Sequence, residues 1–252
     1  MKGKKVPELY HGPGCYHPSH VDSSAARPRL PLFPLPNVVH FPRTELKLHV
    51  FEPRYRQLVR DLVESEEDLR WVGIVLLRPD AERGFGEPPA IFPDGTAGRL
   101  VAVEDLPDGR SNIVLHGDFR FAVEREVEDF GLPYRQAVVR PLDEIRVDEE
   151  DPGVVAVRRD LLLSAWKLAG EMGERFPFNE SDLEELLSRG SFEALVNGMA
   201  AELDLPAPRK IDLLEKALPE RALELLRILR SRQRVLDLLR PYRQLARGAE
   251  QN

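Results

Sequence analysis

The chain has 252 residues, 42% of them hydrophobic and 31% charged, a balance that predicts a packed core and excludes a disordered chain. Its formal net charge of -7 argues against a dedicated nucleic-acid binder, because affinity for phosphate backbones rests on clustered Lys and Arg. The single cysteine, Cys15, excludes an internal disulfide framework. No uncharged apolar run approaches the ~18–20 residues that cross a bilayer, so no membrane partner and a cytoplasmic location are expected.

Residues 1–28 are rich in Gly, Pro, Ser and His and lack periodicity, the pattern of a flexible tail. Three lysines within Met1 to Lys5 precede no apolar segment, so this is not a secretory signal. His11, Cys15, His17 and His20 crowd metal-type ligands together, but their spacing matches no standard zinc module. No metal and no cofactor is expected.

From Arg29 to Leu142 the pattern is β-rich. Leu30, Leu32 and Leu35 sit among Pro31, Pro34 and Pro36, an opening strand with irregular hydrogen bonding. Leu46, Leu48 and Val50 alternate with Lys47 and His49, the period of a half-buried strand. Glu52-Pro53 then starts a helix, with proline pre-organised at its first position and an acid suited to its dipole. Leu58, Val59, Leu62 and Val63 carry that helix from Pro53 to about Glu64. Trp71 to Leu77 reads as a buried strand. Pro79 to Gly95, with three glycines and four prolines, reads as a long loop. Gly98 to Leu106 is a strand, Pro107-Asp108-Gly109 a turn, and Ser111 to Leu115 its hairpin partner. Phe119 to Val123 and Tyr134 to Leu142 complete the set. Six or seven short strands with one helix predict a closed or nearly closed barrel.

The acidic, proline-ended stretch Asp143 to Pro152 marks a domain boundary, which divides the chain into 29–146 and 147–252. Helical spacing follows in Val154 to Met172, Ser181 to Leu187, Phe192 to Leu203, Arg209 to Ala217 and Pro219 to Ala246. Ser181 and Glu184 have the spacing of a capping box. The last helix, with an apolar stripe of Leu223, Leu226, Leu229 and Leu236, is long enough to be the spine of a bundle. The charge is uneven: Glu171 to Asp204 holds nine acids against two arginines, and Glu220 to Arg247 eight arginines against three acids. Mutual neutralisation of the two segments is the expected reason.

Several blocks together resemble one family. Leu30-Pro31-Leu32-Phe33-Pro34-Leu35, then Val38-Val39 and Phe41-Pro42, is similar to the opening of the Lon N-terminal substrate-binding family. Leu46 to Tyr55 resembles that family's L-x-L-x-I-F-E-x-R-Y motif. Gly73 to Leu76, Leu106 to Arg110, Leu115-His116-Gly117 with Arg120-Phe121, and Tyr134 to Val139 resemble its later strands. Leu205-Pro206, Lys210 to Glu215, Arg221 and Leu225 resemble its helical part. The resemblance spans about residues 29 to 245. It implies an α+β fold: a PUA-like β-barrel with one inserted helix, followed by an α-helical bundle with a long last helix. It also implies a module that binds unfolded or exposed apolar polypeptide segments, or docks on a protease or chaperone. The sequence contains no G-x-x-x-x-G-K-[ST] phosphate loop, so a free-standing, non-enzymatic module is expected.

The candidate binding residues are Phe51, Glu52, Arg54 and Tyr55, where one helix face meets nearby loops and could line a groove for an extended peptide. Their structural alternative is that Phe51 fills the core, Glu52 caps the helix, Arg54 pairs with a barrel carboxylate and Tyr55 packs. Phe85, Ile91 and Phe92 on the long loop form a second candidate surface, with closure of a barrel end as the alternative for Ile91 and Phe92. Arg227, Arg230 and Arg234 offer an RNA-binding alternative on the last helix. Ser164 and Lys167 form an S-x-x-K tetrad without its usual companions, and Cys15 lacks an evident base. No catalytic group is expected.

Overall fold

A computed structural model of the chain describes residues 29–78, 89–127, 131–188 and 190–249. The tail up to residue 28, with its histidines and Cys15, lies outside them. The chain divides after Asp143 into two compact units.

The first unit holds β1 (Arg29–Leu35), β2 (Glu45–Val50), α1 (Pro53–Glu64), β3 (Trp71–Leu77), β4 (Ile91–Asp105), β5 (Ser111–Val127) and β6 (Gln136–Leu142). The strands form one sheet in the order β2-β5-β4-β3-β1-β6, and β5 also pairs with β6. That extra pairing closes β5, β4, β3, β1 and β6 into a ring. β2 pairs with the first half of β5 and stands outside the ring. The β1–β3 pair is parallel, and the other pairs are antiparallel. The result is a mixed six-stranded sheet and not the clean barrel expected from strand count.

Two further expectations are corrected here. Ser111 to Leu115 and Phe119 to Val123 are not separate strands; both belong to the 17-residue β5. Asp118 is an extra residue there, since Ala97 faces Phe119 and Gly98 faces Gly117. A bulge bends one long strand where the sequence suggested a break. The expected loop Pro79 to Gly95 is corrected at its end, because Ile91 to Gly95 already belong to β4; residues 79–88 lie outside the described residues. Val75 faces Gly95 and Leu77 faces Ile91, so the proline at 93 falls in a bulge that needs no ladder hydrogen bond from it.

The sheet encloses two apolar clusters. One gathers Phe33, Val50, Tyr55, Leu58, Leu62, Ile74 and Leu115 under α1. The other gathers Leu30, Leu32, Trp71, Val75 and Phe121. The β1–β2 connection runs close over β5: a Cβ on Gly117 would lie 2.3 Å from the Phe41 carbonyl oxygen. The neighbour is backbone and cannot turn aside. Gly117→Ala is therefore expected to lower the stability of this unit by about 2 kcal/mol, the scale of overpacking, read as a lower urea midpoint at unchanged slope.

The second unit holds α2 (Pro152–Met172), α3 (Glu180–Ser188), α4 (Phe192–Glu202), α5 (Ala207–Glu215) and α6 (Leu218–Ala249). Asp151 caps α2 by accepting from Gly153 N at 2.7 Å and Val154 N at 3.2 Å. Ser191 caps α4 through Ala194 N at 3.1 Å. The expected Ser181–Glu184 capping box is displaced by two residues. Asn179 Oδ1 accepts from Asp182 N at 3.0 Å, and Asp182 Oδ2 accepts from Asn179 N at 2.8 Å. Asn–Asp satisfies the same reciprocal geometry as Ser–Glu, and it wins because the helix begins at Glu180.

α2 packs along α6. Gln233 donates to the Ser164 carbonyl at 3.0 Å, and Arg230 pairs with Asp160 at 2.7 Å. Arg240 pairs with Glu171 at 2.8 Å, an ion pair between the basic and the acidic segment. Ser164 is buried and Lys167 is exposed, so this tetrad does not share one accessible site.

Candidate functional site

The corner between β2 and α1 is built by two periodicities meeting. Along β2 the odd-numbered Lys47 and His49 face solvent, while Val50 is buried. Continuing the same period carries Phe51 to the solvent side, where 60% of it is exposed. Pro53 then opens α1, and the 3.6-residue period takes over. Tyr55, Leu58, Val59 and Leu62 are the buried stripe of that helix.

The structure places each candidate residue plainly. Phe51 is not in the core. Its ring lies 6.3 Å from that of His49, at 26°. Glu52 occupies the N-cap position, yet its side chain makes no capping bond. It turns to Arg54, at 2.7 Å. Arg54 thus pairs with its own neighbour and not with a carboxylate of the sheet. Its guanidinium stands 4.5 Å from the Tyr55 ring centroid. Tyr55 itself is buried and stacks on Phe33 at 3.9 Å and 14°, a pair worth about 0.5–1.5 kcal/mol beyond its burial. Burial raises the Tyr55 pKa above its ordinary value, opposed by the Arg54 charge. Tyr55 is the foundation of the corner, and Phe51, Glu52 and Arg54 are its accessible part.

Sequence reasoning missed the residues beside Phe51. His49 Nδ1 is 2.8 Å from Asn112 Oδ1. Asn112 Nδ2 donates to Glu104 Oε2 at 2.8 Å. Arg110 Nη1 lies 3.4 Å from His49 Nε2. Arg110 also pairs with Asp108. The Arg110 guanidinium, through that hydrogen bond, holds the Asp108 carboxyl down to about 2. The strand register brings them together: His49 faces Asn112 across β2–β5, and Asn112 faces Glu104 across β4–β5. These polar residues fix the surroundings of the exposed ring.

The second candidate group lies elsewhere in the sheet. Ile91 packs against the cluster of Trp71 and Phe121, and Phe92 is covered by the Arg78 guanidinium at 4.9 Å. Both are half-buried. Phe85 lies outside the described residues. Phe51 is thus an open aromatic, whereas Ile91 and Phe92 serve partly as cover for the core.

The α6 arginines are largely engaged. Arg227 pairs with Glu224 at 3.1 Å, and Arg230 with Asp160. Arg234 is exposed. Among the described residues no group of three or more His, Cys, Asp and Glu is placed to hold a metal, and no helix is long and apolar enough to cross a membrane.

The fold is that of Lon N-terminal domains. A crystal structure of a Lon N-terminal domain protein from Xanthomonas campestris superposes with a TM-score of 0.54 at 26% identity, over 79% of this chain and 96% of that one. The N-terminal domain of the Mycobacterium avium complex Lon protease gives 0.59 at 12% identity, over 80% and 97%. The chain belongs to the family described as the ATP-dependent protease La (LON) substrate-binding domain, which matches residues 29–244. Among curated relatives, the Lon protease of Flavobacterium johnsoniae is 26% identical over 213 residues, 83% of this chain and 25% of that protein. The Lon protease of Cytophaga hutchinsonii is 31% identical over 142 residues, 55% of this chain and 16% of that protein. The chain spans a quarter or less of these two relatives, and what they share with it is the substrate-binding region.

Proposed function

We propose that this chain is a non-enzymatic module that binds exposed apolar segments of other polypeptides through the β2–α1 corner, as a client receptor or as an adaptor to a protease or chaperone. The observation that carries the reading is Phe51. A large aromatic inside the family motif stands 60% exposed, on a strand–helix corner whose helix is anchored by the buried Tyr55, stacked on Phe33. A large aromatic set on a strand–helix corner is the usual anchor of a binding surface. Glu52 and Arg54 supply paired charges at its side, and His49, Asn112 and Arg110 supply hydrogen-bonding groups for an extended backbone. Ile91 and Phe92 form a secondary apolar surface in this reading. The β5–β6 closure supports taking the sheet as a PUA-like barrel.

The engagement of Arg227 and Arg230 with Glu224 and Asp160 favours polypeptide over RNA, since phosphate binding would first have to break those pairs.

The test uses a fluorescein-labelled, reduced and carboxymethylated protein as a permanently unfolded probe. Phe51→Ser is expected to weaken its binding about tenfold, the scale of an interface anchor. Its melting temperature should stay unchanged, because Phe51 is outside the core. Binding should survive raised salt. Equal binding by wild type and Phe51→Ser would remove the corner from the mechanism. Steep loss of binding with salt would point to charge instead of apolar contact.

A further inference from the structure

A cavity of about 530 Å³ opens in the helical unit where α2 ends. Trp166 and Gly170 of α2 line it, together with Glu174, Phe176, Phe178 and Asp182. Phe176 and Phe178 are buried, and their rings meet at 5.5 Å and 59°. They form a fixed aromatic floor in the favoured tilted geometry. The volume falls within the ~300–1,000 Å³ of ordinary binding pockets.

Gly170 stands at the mouth of this cavity and is itself exposed. It lies inside α2, where glycine costs about 1 kcal/mol relative to alanine. The two common reasons for a helical glycine are absent. Its φ is not positive, and a Cβ built on it meets no atom within 4 Å. No neighbour demands its smallness. Position 170 faces open space at the cavity mouth, so a larger side chain has room there and would project across the opening.

The charge of the lining is one-sided. Its two charged residues, Glu174 and Asp182, are both acids. Asp182 is held in place by the bond it accepts from Asn179 N at 2.8 Å. Lys167 and Arg175 are exposed and do not line the cavity. Glu171 nearby is already paired with Arg240 at 2.8 Å, so Glu174 and Asp182 are the lining charges that an incoming cation meets.

The geometry points to a second polypeptide-binding site here, for a short segment with a lysine or arginine beside an apolar side chain. The apolar group rests on Phe176 and Phe178, and the cation meets Glu174 and Asp182. The site is independent of Phe51.

The whole chain is titrated with the capped peptide acetyl-Leu-Arg-Leu-amide and, separately, with acetyl-Leu-Glu-Leu-amide. Calorimetry reads the affinity. Tryptophan emission reads the place, because the chain has two tryptophans and the other, Trp71, lies in the sheet unit. The arginine peptide is expected to bind saturably, to shift the emission, and to bind about tenfold more tightly than the glutamate peptide. Gly170→Leu fills the opening with a better helix former. It should lose binding about tenfold while the melting temperature holds or rises. Glu174→Gln, an exposed position, should weaken binding of the arginine peptide about threefold. Equal affinity for the two peptides, unchanged binding by Gly170→Leu, or no saturable heat into the millimolar range would each overturn the site. Phe51→Ser should leave all of these values unchanged.

Discussion

Arg221→Ala is expected to destabilise the helical unit by about 3–5 kcal/mol, the cost of removing one partner from a buried charged network. Arg221 is wholly buried, at 0% exposure. Its Nε donates to the Leu213 carbonyl at 3.0 Å, and its Nη2 to the Lys216 carbonyl at 2.7 Å. These oxygens stand at the C-terminal end of α5, where a helix leaves carbonyls without intrahelical donors. The guanidinium supplies those donors and complements the negative end of the helix dipole. Its Nη1 reaches Asn197 Oδ1 of α4, and Nη2 pairs with Glu144 Oε2 at 3.1 Å. Glu144 Oε1 in turn accepts from Leu218 N at 2.8 Å, at the start of α6. One side chain therefore ties α4, α5 and α6 to the segment that opens this unit. Truncation removes the guanidinium from Glu144 Oε2 and its donors from the Leu213 and Lys216 carbonyls, at a position that is itself wholly buried. The measurement is urea unfolding followed by helical ellipticity. Arg221→Lys should recover only part of the loss, since one ammonium cannot reproduce the planar fork. A cost under about 1 kcal/mol for the alanine variant would show that water replaces the guanidinium, and the network would then lose its structural role.

Much of this architecture was legible in the sequence, and the failures have physical causes. The helix from Pro53 to Glu64 and the strand from Trp71 to Leu77 appear at those bounds, because proline at a helix start and an unbroken apolar run are local signals. The length of β5 was not legible. His116-Gly117-Asp118 looks like a break, and only the pairing with β4 shows it to be a bulge. The parallel β1–β3 pair is a long-range fact with no local signature. The capping box at Ser181 failed because several polar residues in 179–184 satisfy the motif, and the choice depends on where the chain enters the helix.

The candidate site shows the same division. The structural alternative places Phe51 in the core, because motif residues in a fold-defining turn usually hold the fold; the structure leaves it 60% exposed. The alternation of Lys47 and His49 already carried the opposite answer, since a residue two beyond His49 shares its face. Arg54 was given a carboxylate in the sheet, when the nearest acid, Glu52, is two residues away and reaches it. Arg110 and Asn112 were invisible as site residues because their proximity to Phe51 depends on the β2–β5 register. Arg221 was noticed for its place in the family pattern. Its burial could not be read from a segment holding eight arginines.

A loss of stability between neutral pH and about pH 4 should trace in large part to His40. This imidazole is 3% exposed in the connection between β1 and β2. Its Nε2 lies 3.2 Å from the Thr44 carbonyl oxygen. A carbonyl only accepts, so Nε2 carries the proton and Nδ1 is the bare nitrogen. Nδ1 is buried without a hydrogen-bond partner among the described residues. Protonating it would place a charge and an unpaired N–H in a site bounded by Gly98 and Gly117. Burial, which outweighs the Thr44 bond and is aided by His116, lowers the His40 pKa from 6.5 to about 4. In the unfolded chain it returns to about 6.5. Above that value both states are neutral, and the full stability is present. As pH falls from 6.5 toward 4 the unfolded chain takes up the proton and the folded chain does not, so stability falls. Below about 4 both states are charged, and this contribution changes no further. The depressed pKa corresponds to about 3 kcal/mol lost across that window. Carboxylates also titrate toward its acid end, so the test is a difference. His40→Gln keeps an amide donor for Thr44 and cannot be protonated. Urea midpoints of the wild type and His40→Gln, measured from pH 7 to pH 4, should converge as the pH falls, with the wild type falling more steeply. Parallel curves would show that the site opens to water on protonation and that His40 does not govern the acid stability of the sheet unit.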